Sequence, residues 1–214
     1  IRHMDDSIAR IMAGREIVMR RARGYAPLPV QLTQPVPSVL ALGAHLKNTV
    51  ALSVGSNVFV SQHIGDLETE QAYTAFVRSA SDLPQLYHAR IDAVACDMHP
   101  DYLSTKHAAQ FSVPIRHVQH HWAHIVSCMA ENELTAPLLG VSWDGSGYGG
   151  DGTIWGGEFF LIGETSIKRV ATFRSFRLPG GDAAIKEPRR VALGLLYELF
   201  GEKVFDQAEF ATAA

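Results

Sequence analysis

The sequence predicts an α/β fold on three observations. Short apolar runs of strand length alternate with helix-period segments through the middle of the chain. Three strands precede the first helix, and a further strand pair, turned on glycines, opens after the last helix of that series. The chain has 214 residues, of which 47% are hydrophobic, ample for a packed core in one large domain or two small ones.

In chain order, residues 5–15 open with an acidic pair and a possible cap but have no core of their own. They lead into an apolar strand at residues 17–19, closed by Arg20, Arg21 and Arg23 and then by Gly24 and Tyr25. Arginines behind a strand can grip a phosphate, although a solvated basic loop is the commoner meaning of such a run. Residues 28–38 carry Pro29, Pro35 and Pro37, with Pro27 just before, and read as an extended linker. Val39-Leu40-Ala41-Leu42 is a short strand, and residues 49–54 and 58–61, on either side of Gly55-Ser56-Asn57, read as a hairpin. Residues 67–90 are helical in character, with Tyr73, Phe76 and Val77 on one face and Pro84 as a break. A buried strand at residues 91–97, a loop at 99–102, a helix at 103–111 and a short strand at Pro114 follow. Val118, Trp122, Ile125 and Met129 then recur at steps of three and four, as the apolar stripe of a helix. Residues 137–143 read as a buried strand, 144–150 as a tight glycine-rich turn and 154–162 as the return strand. The order β-β-β-α-β-α-β-α followed by a new hairpin is that of the actin-like two-lobed ATPase fold, in which each lobe opens with a phosphate-facing hairpin.

Composition excludes several classes. The net charge of −3 gives neither a nucleic-acid footprint nor a membrane-surface patch. No apolar run is long enough to span a bilayer, and residues 1–6 lack the segments of a signal peptide, so the chain reads as soluble and cytoplasmic. Cys96 and Cys128, the two cysteines, fit a reducing compartment and core packing better than a disulfide. The first residue is not methionine, and both ends read as cuts in a longer protein.

The chemistry concentrates between Arg116 and Asp151. Histidines four apart on a helix point the same way and can close on one ion. His120 and His124 form such a pair, and so do His117 and His121; spacing alone does not choose. The short strand at Pro114 would leave His117 ahead of the first helical turn, which favours His120 and His124. Twenty residues after His124, Asp144 ends a strand ahead of Gly145-Ser146-Gly147-Tyr148-Gly149-Gly150. Glycines let a backbone approach a phosphate, and an acid at the strand end can hold a divalent ion beside it.

Many ordered motifs resemble one family. Ala44-His45-Leu46-Lys47-Asn48-Thr49, Ser61-Gln62-His63-Ile64-Gly65-Asp66-Leu67-Glu68, Cys96-Asp97-Met98-His99-Pro100-Asp101-Tyr102, Val118-Gln119-His120-His121-Trp122-Ala123-His124, Asp144-Gly145-Ser146-Gly147-Tyr148-Gly149, Trp155-Gly156-Gly157-Glu158-Phe159 and Leu178-Pro179-Gly180-Gly181 are similar to the HypF-type carbamoyltransferases of nickel-iron hydrogenase maturation. Asp5-Asp6-Ser7 and Arg20-Arg21-Ala22-Arg23-Gly24-Tyr25-Ala26-Pro27 resemble the tail of the YrdC-like domain of that family, where Arg20, Arg21 and Arg23 would belong to its site. The resemblance implies residues 1–30 as that tail, 31–37 as a proline-rich linker, 38–135 as the complete first lobe of an actin-like (ASKHA) domain and 136–214 as a truncated second lobe.

The resemblance implies a division of labour. The YrdC-like domain makes carbamoyl adenylate from carbamoyl phosphate and ATP, with magnesium, and the actin-like domain passes the carbamoyl group to the C-terminal cysteine of HypE. It further implies that His120 and His124 bind a divalent metal, iron or zinc, with Asp144 as a further ligand or a phosphate-side neighbour. Lys47 and Asn48 would line the phosphates from one lobe, and Gly145, Ser146, Gly147, Tyr148, Gly156, Gly157 and Glu158 from the other. A late aspartate completing the metal site is expected beyond Ala214, so the piece alone should bind metal weakly and catalyse nothing. His45 stands where an acid is expected, and Trp122 where a third consecutive histidine is common. Two alternatives stand beside this reading: an O-carbamoyltransferase of antibiotic or nodulation-factor biosynthesis, and a non-catalytic fragment that docks a partner.

Overall fold

The computed structural model describes residues 5–26 and 28–206; Pro27, residues 1–4 and residues 207–214, the last part of the expected truncated second lobe, lie outside the described residues. Strands β1 (Ile8–Met12) and β2 (Arg15–Arg20) form a hairpin. Ala13 and Gly14 turn it, both at positive φ, as a two-residue turn matched to strand twist requires. All five residues of β1 are exposed, so no alternation in the sequence marked it as a strand.

The main sheet is built from β3 (Pro29–Val36), β4 (Val39–Ala41), β5 (Ala51–Val60), β6 (Ala93–Asp97) and β7 (Ile115–Val118), in the spatial order β3-β5-β4-β6-β7. The first three pair antiparallel, and β4, β6 and β7 run parallel. Helix α1 (Glu70–Leu86) connects β5 to β6, and α2 (Leu103–Ala108) connects β6 to β7. Thr69 caps α1 by accepting from the Ala72 N–H at 3.2 Å.

Three expectations change here. The stretch read as a linker at 31–37 is most of strand β3, because β3 is an edge strand and an edge has ladder positions at which a proline loses no hydrogen bond. The stretch read as a hairpin at 49–61 holds one strand, Ala51–Val60: Gly55, at φ 60°, supplies an irregularity opposite Val36, and β5 continues through it. Pro84 lies inside α1, buried in its last turn, where the one forfeited hydrogen bond is offset by packing beside Leu83.

Leu40, Leu42, Leu52, Val94 and Cys96 of the sheet region pack with Phe76, Ala80 and Leu83 of α1 into the main core. A second sheet holds β8 (Leu138–Tyr148), β9 (Ile154–Ile162) and β10 (Ile167–Thr172), all antiparallel, in the order β10-β9-β8. Helix α3 (His120–Glu131) lies on β8, and its Ile125 joins Trp155, Phe160 and Ile162 in a smaller core, with Trp122 and Met129 against it. That apolar stripe turns Cys128 outward, so of the two cysteines only Cys96 is buried. The chain continues through α4 (Asp182–Lys186), α5 (Pro188–Phe200) and a short 3-10 turn. Among the described residues no helix is long and apolar enough to cross a membrane.

The expected glycine-rich turn at 144–150 is displaced. β8 runs on to Tyr148, and the chain reverses over Gly149 to Thr153. Between the pairs Trp143–Gly157 and Gly147–Trp155, residues 144–146 stand opposite Gly156 alone. Asp144 therefore rides on a bulge of three residues against one, a device that re-aims a side chain out of its ladder.

Candidate metal centre

Gln119 ends β7 and begins α3: its side-chain oxygen accepts from the Trp122 N–H at 3.1 Å. This cap puts His117 on β7, where its Nδ1 meets the Cys96 Sγ at 3.5 Å. His120, His121 and His124 fall on the first turns of α3. His121 is fully buried with its Nδ1 against the Gln119 amide, and burial pushes its pKa down. The two pairs that spacing left open therefore have different surroundings, and only in His120 and His124 do the rings face each other across one turn.

Those two rings bring their Nε2 atoms to 3.2 Å. The Asp144 Oδ2, reaching across from the bulge of β8, lies 2.9 Å from the His120 Nε2 and 3.3 Å from the His124 Nε2. On its other side the His120 Nδ1 is 2.8 Å from the Asp97 Oδ2, at the end of β6. Asp97 is itself buried, and its Oδ1 accepts from the His99 N–H at 2.8 Å. Both carboxylates raise the His120 pKa, from 6.5 to about 9, with Asp144 the stronger of the two. Asp144 is pushed far below the usual carboxylate range by His120 first and His124 second.

The donor set fits a divalent ion. Ligands about 2.05 Å from a metal stand about 2.9 Å apart at a right angle and about 3.3 Å apart at a tetrahedral angle. The three separations of 2.9, 3.2 and 3.3 Å span that interval. Asp97 accepts a hydrogen bond from the His120 Nδ1–H and so leaves Nε2 to offer a lone pair to a metal, the arrangement by which a carboxylate orients a ligating imidazole. Two imidazoles and a carboxylate suit zinc and iron alike. Sequence reasoning missed Asp97, although the signal that found Asp144, an acid at the end of a buried strand, is equally present there.

The other expected site residues are more dispersed. Asn48 is buried and donates its amide to the Leu42 and Ala44 carbonyls, so it shapes the loop that carries Lys47. Burial first, and then the nearby charges of Arg20 and Lys47, lower the His63 pKa. Arg21 donates to the Tyr25 and Leu28 carbonyls, and Arg23 pairs with Asp6 at 2.6 Å. The Gly145 N–H donates to Asp144, Ser146 completes the bulge and the Tyr148 carbonyl accepts from Gln119. Gly147 is a close-approach point against the His121 ring, whereas Gly156 lies in ordinary contact beneath the bulge. The Gly157 carbonyl accepts from the Phe173 N–H. Glu158 is buried, and its carboxylate accepts from Arg169, Thr172 and the Gly156 N–H, so its oxygens are already engaged. At the rim of the metal centre Tyr102 stacks on His99 at 4.2 Å, and its pKa is raised by burial and then by Asp97 and Asp144.

Two family models match this chain: the HypF Kae1-like domain over residues 34–131, and the second subdomain of the carbamoyltransferase Kae1-like domain over residues 140–213. The α/β fold is accordingly that of a Kae1-like, actin-like domain. Carbamoyltransferase HypF of Synechocystis sp. is 45% identical over 201 residues, which is 93% of this chain and 26% of that protein. Carbamoyltransferase HypF of Rhizobium leguminosarum is 40% identical over 90% of this chain and 25% of its own length. The crystal structure of full-length HypF in its phosphate- and nucleotide-bound form matches with a TM-score of 0.86 at 42% identity, over 91% of this chain and 26% of that one. The T. kodakarensis HypF structure matches with a TM-score of 0.85 at 35% identity, over 92% of this chain and 26% of that one. The chain belongs to the HypF family of carbamoyltransferases, and it spans about a quarter of the length of the relatives it matches.

Proposed function

We propose that this chain is the metal-bearing part of the carbamoyl-transfer unit of a HypF-type protein. In the whole protein, carbamoyl phosphate and ATP, with magnesium, give carbamoyl adenylate at a YrdC-like site, and the acceptor is the C-terminal cysteine of a HypE-type partner in the cytoplasm. Residues 1–30 would end the YrdC-like domain, 38–135 form the first lobe and 136–214 begin the second. The observation that carries the reading is the meeting of His120, His124 and Asp144, from two elements, with the buried Asp97 behind them.

In the transfer step the cysteine sulfur bonds to the carbamoyl carbon, the carbon–oxygen bond to AMP breaks, and the thiol proton is given up. Negative charge develops on the departing phosphate, and a divalent ion held by His120, His124 and Asp144 would supply a Lewis acid to anchor it. Asp97 keeps His120 oriented for that role, Gly145 leaves the bulge open to a phosphate oxygen, and Lys47 adds positive charge from the opposite lobe.

The test is carbamoylation of a HypE C-terminal peptide by the full-length protein that carries this chain. Loss of product in His120→Ala/His124→Ala, with carbamoyl adenylate formation retained, is the expected result. Undiminished transfer in that variant would overturn the assignment.

A further inference from the structure

We infer that Gln119 and His121 are positioning residues, which set how closely the strand bearing Asp144 approaches the helix bearing His120 and His124. The inference rests on the reading of those three side chains as metal donors. The donors come from two elements, α3 and β8, so something must fix the gap between them. Gln119 and His121 are almost wholly excluded from solvent and lie at the N-terminal end of α3, facing β8.

The Gln119 amide is oriented without ambiguity. Its Oε1 accepts from the Trp122 backbone N–H, a group that can only donate. Its Nε2 therefore carries both remaining hydrogen bonds, one to the Tyr148 carbonyl at 3.3 Å and one to the His121 Nδ1 at 3.1 Å. His121 accepts at Nδ1, so the neutral ring carries its proton on Nε2. One side chain thus caps α3, ties it to the end of β8 and fixes the tautomer of its neighbour.

His121 sets the contact distance. A Cβ at Gly147 would lie 2.6 Å from its Cε1 and 3.0 Å from the His120 Cβ, so the strand touches the ring with backbone alone. A similar approach recurs seven residues earlier, where a Cβ at Gly140 would lie 2.7 Å from Ile125. Asp144 stands between these two contacts, and the Gln119–Tyr148 bond closes the end nearer to it. Spacing across this seam, more than the rotamer of Asp144, decides whether its carboxylate reaches both imidazoles.

Gln119→Glu separates positioning from helix capping. It preserves the cap acceptor for Trp122, and a carboxylate suits a helix N-terminus. It removes the NH2 group, sets an oxygen against the Tyr148 carbonyl and calls for a proton on the His121 Nδ1. Gly147→Ala is the second variant: it leaves both polar residues in place and inserts a methyl group into the seam.

The experiment titrates Zn2+ into the whole chain and both variants against a chromophoric chelator, with metal-free thermal unfolding and ring 15N spectra of His120 and His121. The expected result is a tenfold or greater loss of zinc affinity in each variant, read well below that variant's metal-free unfolding midpoint so that only folded protein is compared. The His121 proton should move from Nε2 to Nδ1 in Gln119→Glu. Equal zinc affinity in the wild type and both variants would overturn the inference. Should the wild type bind no zinc, the donor reading fails separately, and the His120 ring signals decide: altered in both variants they support the positioning role, and unchanged they overturn it.

Discussion

Asp97→Asn tests the chemistry of the site with a change of one atom type. The native carboxylate accepts twice, from the His99 N–H and from the His120 Nδ1–H, each at 2.8 Å. An asparagine can keep the first bond only through its oxygen, which turns its NH2 group toward the His120 Nδ1. That nitrogen must then accept, and the ring proton moves to Nε2, the atom facing Asp144 and His124. A protonated Nε2 cannot coordinate. The expected loss in zinc affinity is about 10- to 100-fold, or roughly 1.4–2.7 kcal/mol, the usual effect of removing the carboxylate behind a ligating histidine. A competition titration against a chromophoric chelator reads it, with circular dichroism to show that the fold is retained. Wild-type affinity in a folded Asp97→Asn chain would refute the reasoning, because it would mean that the Nδ1 bond does not govern the donor atom.

The same contacts give the metal-free chain a dependence on pH. His120 has its pKa raised from 6.5 to about 9, so its contribution is complete below pH 6.5 and is lost as pH rises toward 9, by up to roughly 3 kcal/mol in urea unfolding. Asp144 has its pKa lowered, so its contribution is present above its ordinary 3.8 and disappears as the solution becomes strongly acidic. Zinc should reverse the first trend, since coordination needs unprotonated imidazoles and the stabilisation it confers grows from pH 6 to 8; a flat metal-free profile above pH 6.5 would contradict the ion-pair geometry. Phe160→Ala, at a fully buried position of β9 packed with Ile125 of α3, should destabilise the chain by about 3–5 kcal/mol. A loss below about 1 kcal/mol in denaturant titration would show that the smaller core is loosely packed.

The sequence disclosed most where one periodicity governed a segment. The stripe through Trp122, Ile125 and Met129 marked α3, and the apolar runs around Val94 and Phe160 marked strands that each bury a face in a core. Prolines and glycines were harder to read, because their meaning depends on partners far along the chain. Pro29 and Pro35 suggested a linker, yet an edge position in the sheet accommodates both. Gly145 and Gly147 suggested a turn, whereas they belong to a bulge and a close helix contact created by packing against Gly156 and His121. The i, i+4 spacing of the histidines left two pairs open, and the separation came from where β7 stops and Gln119 caps. Asp97 was legible only as a strand-end acid, since nothing local shows that its neighbour in space lies on a helix more than twenty residues away.

The most direct measurement is zinc bound per chain at equilibrium, by dialysis against saturating free zinc, in the wild type, in His120→Ala/His124→Ala and in His117→Ala. Roughly one zinc more should be bound by the wild type and by His117→Ala than by the double variant, with all three folded. Equal zinc in the three proteins would contradict the assignment of His120, His124 and Asp144 as the metal centre.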